Sequence, residues 1–211
     1  MRGLIHRVLP VVGLGCALAF TAACGDDDAI DSNQAAQRAY LGLDPSIEQS
    51  LALGFAGFNS ASSANIAPQS APGAATGTLT ITGQVDQGSS ANKGMRLRVG
   101  MVDYSAGPFV VVVNEDEQVT VDLGYTTSDV VDQQPYLQLQ LRNIPSGTFS
   151  GDLTGVYHVH GDIEGDVTLT LTMTGALQDA GGGMTNRAPG TTTVTGTATS
   201  GDGVYQVMVT I

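Results

Sequence analysis

The chain has 211 residues, a formal net charge of −12, two cysteines and no tryptophan. So acidic a chain repels phosphate backbones, and Lys93, Arg96, Arg98, Arg142 and Arg187 form no dense basic run, which excludes a nucleic-acid interface. The scarcity of aromatics argues against a membrane-spanning barrel with its aromatic girdles.

The first predicted element is an export signal. Arg2 and Arg7 form a short positive start. Residues 8–19 are apolar apart from Pro10 and small residues, and Thr21-Ala22-Ala23-Cys24 leads straight into Gly25-Asp26-Asp27-Asp28. Charged start, short apolar core and small-residue cleavage site make a signal peptide. The apolar run falls short of the roughly 20 residues a spanning helix needs.

Residues 1–28 resemble a bacterial lipoprotein signal, in which cleavage precedes a cysteine that then receives lipid. The resemblance implies a signal peptide over 1–23, lipidation at Cys24 and attachment to the membrane through that lipid. Ala22 and Ala23 fit the small residues expected there, whereas Thr21 stands where the family usually has Leu. Cys16 fits less well, because an apolar run follows it. In a Gram-negative cell, Gly25 after the cysteine implies the outer membrane. With Cys16 removed and Cys24 lipidated, the body has no disulfide, thiol nucleophile or thiolate ligand.

Residues 24–77 read as a tether with short helices and a Ser/Ala/Pro linker. Residues 34–41 suit a helix. Asp44-Pro45 is a helix start, since Asp caps exposed amides and Pro suits the first turn. Ile47, Leu51, Phe55 and Phe58 then share one helical face, and Gly54 and Gly57 weaken the helix so that it ends by about Phe58. That face packs on the body or closes one end of it. Residues 59–77, rich in Ser, Ala, Asn, Pro and Gly, read as linker.

From Thr78 the hydrophobic period becomes two. The alternation predicts about nine strands, with inward sets such as Leu79/Ile81/Val85, Met95/Leu97/Val99/Met101, Leu137/Leu139/Leu141 and Val167/Leu169/Leu171/Met173. One buried and one wet face mean antiparallel sheet. The fold class is therefore mainly β: an antiparallel meander over 78–211 forming a sandwich or small barrel. Parity around Glu164-Gly165-Asp166 predicts a three-residue loop pairing Ile163 with Val167, Val159 with Leu171 and Tyr157 with Met173, or a bulge at Gly161. At the end of the chain, a two-residue Gly201-Asp202 tip sets Ala198 opposite Tyr205 and Gly196 opposite Val207.

The candidate metal ligands are His158, His160 and Asp162. Residues two apart on a strand project to one face, and imidazoles with carboxylates bind zinc or copper. The same residues also suit an ordinary solvated face. Asp162-Ile163-Glu164-Gly165-Asp166 looks like the start of a calcium loop, but its twelfth position is Met173 rather than a bidentate Glu. Looser calcium binding by that turn or by Asn114-Glu115-Asp116-Glu117 is a further expectation. The threonines at 168–174 and 191–199 suit either an exposed strand face or a flat hydroxyl array for ice or glycans. No nucleophile elbow, phosphate loop or dinucleotide fingerprint occurs, so no enzymatic activity and no cofactor is expected. The sequence thus points to a membrane-anchored envelope lipoprotein with a structural or interaction role, whose partner is an envelope protein. The alternatives are a barrel carrier of a small apolar ligand, marked by an interior cavity of about 300 Å³ or more, and a metal-binding protein using His158 and His160.

Overall fold

The computed structural model describes residues 29–114, 117–181, 184–201 and 203–211. The signal segment and Cys24 lie outside these residues.

One helix, α1 (Asn33–Ser60), precedes the strands. Its cap is Ser32, whose hydroxyl accepts from the Ala35 amide at 3.1 Å. The expected start at Asp44-Pro45 is therefore corrected, and the helix runs through Pro45. Pro45 lies on the exposed side, where its ring and missing amide disturb the turn facing solvent rather than the packed one. Asp44, expected as a cap, is buried inside the helix and bonded to other side chains.

Ile47 and Leu51 are buried as their spacing implies, while Phe55 and Phe58 are only half-buried. Gly54 and Gly57 take the packed positions instead. A Cβ on Gly54 would stand 2.8 Å from Met95 Sδ, one on Gly57 2.8 Å from Ile66 Cδ1, and one on Gly42 2.5 Å from the Tyr125 hydroxyl. These glycines let the helix lie close against the sheet, which offsets their poor helix propensity.

Twelve strands follow among the described residues: β1 (Asn65–Pro72), β2 (Thr76–Val85), β3 (Lys93–Ser105), β4 (Phe109–Asn114), β5 (Glu117–Val121), β6 (Leu123–Thr126), β7 (Tyr136–Arg142), β8 (Thr148–Gly161), β9 (Gly165–Gly181), β10 (Met184–Arg187), β11 (Thr193–Ser200) and β12 (Gly203–Thr210). All pairings are antiparallel. Ten strands make one sheet in the order β1-β2-β3-β6-β8-β9-β11-β12, with β7 also between β3 and β8 and β10 on β9. The β4–β5 ribbon stands apart. Three short strands escape the expected nine: β1, β6 and β10. The first lies in the stretch read as linker. Its two prolines and its bulge between Ile66 and Gln69 hide the alternation, and both are usual on an edge strand.

The sheet curls around the helix. α1 packs against both edge strands, β1 and β12, and also against β2, β3 and β6, and a single helix reaches all of these only from inside a curved sheet. The result is a barrel left open between β1 and β12, with α1 in the gap. Inward residues line up in rows across the strands. One row runs Ile66, Gly83, Leu97, Leu137, Leu153, Leu171, Gly196, Val207. Its two glycines sit on the second strand from each edge. Gly83 has φ +134° and Gly196 φ +149°. A Cβ at either would come within 2.1 or 2.2 Å of a backbone oxygen on the neighbouring strand. Glycine at these points lets the sheet turn its corners.

Both predicted turns can be compared. β11 and β12 pair Ala198 with Tyr205 and Gly196 with Val207, as their parity required. The loop between β8 and β9 is corrected. Tyr157 pairs with Val167 and Val159 with Gly165, six residues out of the expected register. Gly161, at φ +114°, ends β8, and His160 and Gly161 pair with Gly124 and Leu123 of β6 rather than with β9. An even shift preserves parity, so the same side chains still face inward.

Candidate functional site

Two polar clusters stand out. The first was not legible in the sequence. Tyr40, Asp44 and Glu48 lie four apart on α1, and Arg187 reaches them from β10. Arg187 grips Asp44 with two bonds, Nη1 to Oδ1 and Nη2 to Oδ2, both 2.8 Å, and its Nε donates to Glu48 Oε2 at 2.9 Å. The Tyr40 hydroxyl donates to Asp44 Oδ1 at 2.7 Å. The side chains of Arg187 and Asp44 are 11% and 9% exposed. Burial, then the Asp44 charge and hydrogen bond, push the Tyr40 hydroxyl well above its usual range. For Arg187, burial is the largest single influence and works against the charge, but Asp44, Glu48 and Tyr40 together outweigh it, so the guanidinium is held more firmly protonated than usual. Every strong acceptor here is matched to a donor, so the cluster binds α1 to β10 rather than awaiting a ligand. The i, i+4, i+8 spacing of Tyr40, Asp44 and Glu48 would have signalled it, had the helix been extended through Pro45.

The second cluster holds the predicted histidines. His158 and His160 project from the end of β8 to one exposed face, with ring centroids 6.4 Å apart. Their partners differ. His158 Nδ1 meets Asp166 Oδ1 of β9 at 3.0 Å. His160 leans the other way, over Gly124 of β6, with Nε2 3.9 Å from Asp103 Oδ1 of β3. Asp162 joins neither ring, and its Oδ2 accepts from the Asp122 amide at 2.8 Å. Among the described residues no three His, Cys, Asp or Glu side chains stand close enough to hold a metal ion together. The acidic turn at 162–166 is thus divided between a backbone bond and a histidine partner. Of the other acidic stretch, residues 115 and 116 lie outside the described ones.

The threonines fall into register. Thr168, Thr170, Thr172 and Thr174 of β9 stand directly opposite Thr199, Thr197, Thr195 and Thr193 of β11, and the Thr172 and Thr195 hydroxyls are 3.1 Å apart. These threonines are exposed or half-buried, as both the solvated-face and the hydroxyl-array readings require.

The concave face is occupied by the chain itself. Tyr40, Leu43, Ile47 and Leu51 from α1 meet Tyr104, Tyr125, Tyr157 and the leucine rows of the sheet, all within 2% of complete burial. Burial pushes the Tyr125 and Tyr157 hydroxyls far above their usual range. Tyr125 donates to the Ala39 carbonyl at 2.8 Å. A depression of about 440 Å³ lies on the outside, against the exposed side of α1 at Pro45 and Ala52, between Pro72 and Met184.

No protein-family model, no curated protein and no solved structure matches the chain.

Proposed function

We propose that the chain is a bacterial envelope lipoprotein, held to the membrane by lipid on Cys24, whose β-body serves as a structural or interaction module. The outer membrane is its site in a Gram-negative cell. The observation that carries the module over the carrier is the placement of α1. A barrel that transports a small apolar ligand keeps its interior free for it. Here the helix fills the opening between β1 and β12, and the tyrosines and leucines fill the rest.

The anchor rests on the lipoprotein-like pattern of residues 1–28. Two or more acyl chains make attachment stable, at about 0.8 kcal/mol per buried methylene. In this reading Gly25-Asp26-Asp27-Asp28 links the anchor to the body, which begins with Ile30, buried in the core, and Ser32, the cap of α1.

The test compares the wild-type chain with Cys24→Ser in cells given labelled palmitate, followed by fractionation. Label on the wild type only, with the variant released from the membrane fraction, supports the anchor. An unlabelled wild-type chain in the soluble fraction overturns it. A fatty-acid probe that bound the purified body with micromolar affinity would replace the module reading with the carrier.

A further inference from the structure

The main sheet ends in three outer strands, β1, β12 and β10, and α1 bonds to each of them. Gln49 Nε2 donates to the Pro72 carbonyl at the end of β1, at 2.8 Å. Asn33 Oδ1 accepts from the Gln206 amide of β12 at 2.7 Å. The Glu48 carboxylate accepts from the Arg187 amide of β10 at 3.3 and 3.4 Å. β1 adds two prolines and a bulge. Covering helices, prolines and bulges are the devices by which proteins stop a free edge from pairing with another chain.

The ribbon of β4 and β5 lacks this protection along β4. Its inner residues Phe109, Val111, Val119 and Val121 pack on the body. On its outer face Val110 is 59% and Val112 64% exposed. β4 pairs with β5 alone, and among the described residues no other backbone bond reaches Phe109 to Val112. In an antiparallel pair alternate residues turn their amides and carbonyls away from the partner strand. The far edge of β4 therefore offers unpaired donors and acceptors. Neither a proline nor a charge stands within Phe109–Asn114 to blunt it. The irregularity between Val112 and Asn114 lies at one end and leaves the rest in register. β5 differs, because Glu117 begins it and Asp122 follows it. A two-stranded ribbon is marginal by itself and gains from further strands.

We infer that a second copy of this chain occupies the edge, the two β4 strands pairing antiparallel about a two-fold axis into one sheet of order β5-β4-β4-β5. Two considerations select a copy over a foreign partner. The chain carries a net charge of −12, so two copies repel over most of their surface, and β4 is an uncharged strip where they can meet. The strand also matches itself. Directly opposed residues share a face, and a two-fold axis at Val111 sets Val110 opposite Val112 of the partner subunit, and the reverse. An axis at Val110 would oppose Val112 to Pro108, which has no amide to give. An axis at Val112 would draw in the irregular end. The contact is small, in the class below about 1,200 Å² that gives weak, reversible association. It does not depend on lipid at Cys24.

The test is sedimentation of the full chain in detergent, in a concentration series up to about 1 mM. The pairing predicts a reversible equilibrium of monomer and dimer. Val110→Lys/Val112→Lys sets lysine opposite lysine and should weaken association about tenfold or more. Gln118→Lys/Thr120→Lys adds the same two charges to the outer face of β5 and should change it by less than about twofold. Added lysines lower the repulsion between acidic copies, so a loss of dimer is not an effect of bulk charge. All four positions are exposed, and circular dichroism checks that each variant is folded. Under mild oxidation Val110→Cys/Val112→Cys should form a disulfide between subunits, since opposed Cβ atoms stand about 4.5–5.5 Å apart. Gln118→Cys/Thr120→Cys should form no more than the wild type, which carries its own cysteines. Trapping in cells separates the occupants: a product of twice the chain's mass supports the copy, and a product of any other mass overturns it. A chain monomeric throughout the series, a dimer that Val110→Lys/Val112→Lys leaves intact, or equal trapping through β5 would each overturn the pairing as well.

Discussion

Replacing Asp44 by Ala strips Arg187 of both bonds at its guanidinium end and leaves Tyr40 without its acceptor. Breaking a buried ion pair by deleting one partner costs about 3–5 kcal/mol, because the remaining charge stays desolvated. The pair is 11% and 9% exposed, so solvent screening takes little from that figure. Glu48 differs. Its side chain is 34% exposed, and Glu48→Gln should cost only about 0–1 kcal/mol. Guanidinium unfolding of the wild type and both variants measures the difference. For a body of this size Asp44→Ala should lower Tm by roughly 6–20 °C, at about 2–4 °C per kcal/mol. The double variant Asp44→Leu/Arg187→Met removes both charges together and should lose much less than the sum of its single changes. If Asp44→Ala costs under 1 kcal/mol, or no more than Glu48→Gln, then β10 is not held to α1 by this pair.

Other consequences can be measured on the same protein. Tyr40, Tyr125 and Tyr157 all have hydroxyls raised by burial, so the folded state keeps protons that the unfolded chain releases above about pH 10. Their contribution is complete below pH 10 and is lost as pH rises beyond it, by up to about 1.4 kcal/mol per pH unit for each tyrosine. Denaturation series at pH 8, 10 and 11 show the fall, and tyrosinate absorbance rising in full on the folded protein would contradict it. Gly196→Ala places a Cβ 2.2 Å from the Thr170 carbonyl at φ +149° and should cost about 3 kcal/mol or more. Gly54→Ala meets only the mobile end of Met95 and should cost about 1 kcal/mol or less, so equal losses would refute the corner. Leu153→Ala, at a fully buried place in the central row, should cost about 2–5 kcal/mol by urea titration.

The parts of the fold that were legible are those a local period encodes. Leu97, Leu137, Leu153 and Leu171 alternate with polar neighbours, and the register sets them side by side across four strands. Parity survived even where the loop between β8 and β9 was misplaced, because a shift of six residues keeps each side chain on its face. What escaped depends on distant contacts. Asp44 carries the signature of a helix cap, but its partner Arg187 is 143 residues away. Gly42, Gly54 and Gly57 look like helix breakers until the sheet they approach is known. β1 looks like linker because an edge strand tolerates Pro68 and Pro72. At the histidines, alternation placed His158 and His160 on one face. It could not reveal that β9 and β3 draw the two rings apart, or that Asp103 rather than Asp162 faces His160.

The most direct test of the whole account is the intact mass of the protein extracted with detergent from envelope membranes of its own cells. The account predicts a chain that begins at Cys24 and carries the added mass of a diacylglyceryl thioether. A chain that begins elsewhere, or one that begins at Cys24 without acyl mass, would contradict it.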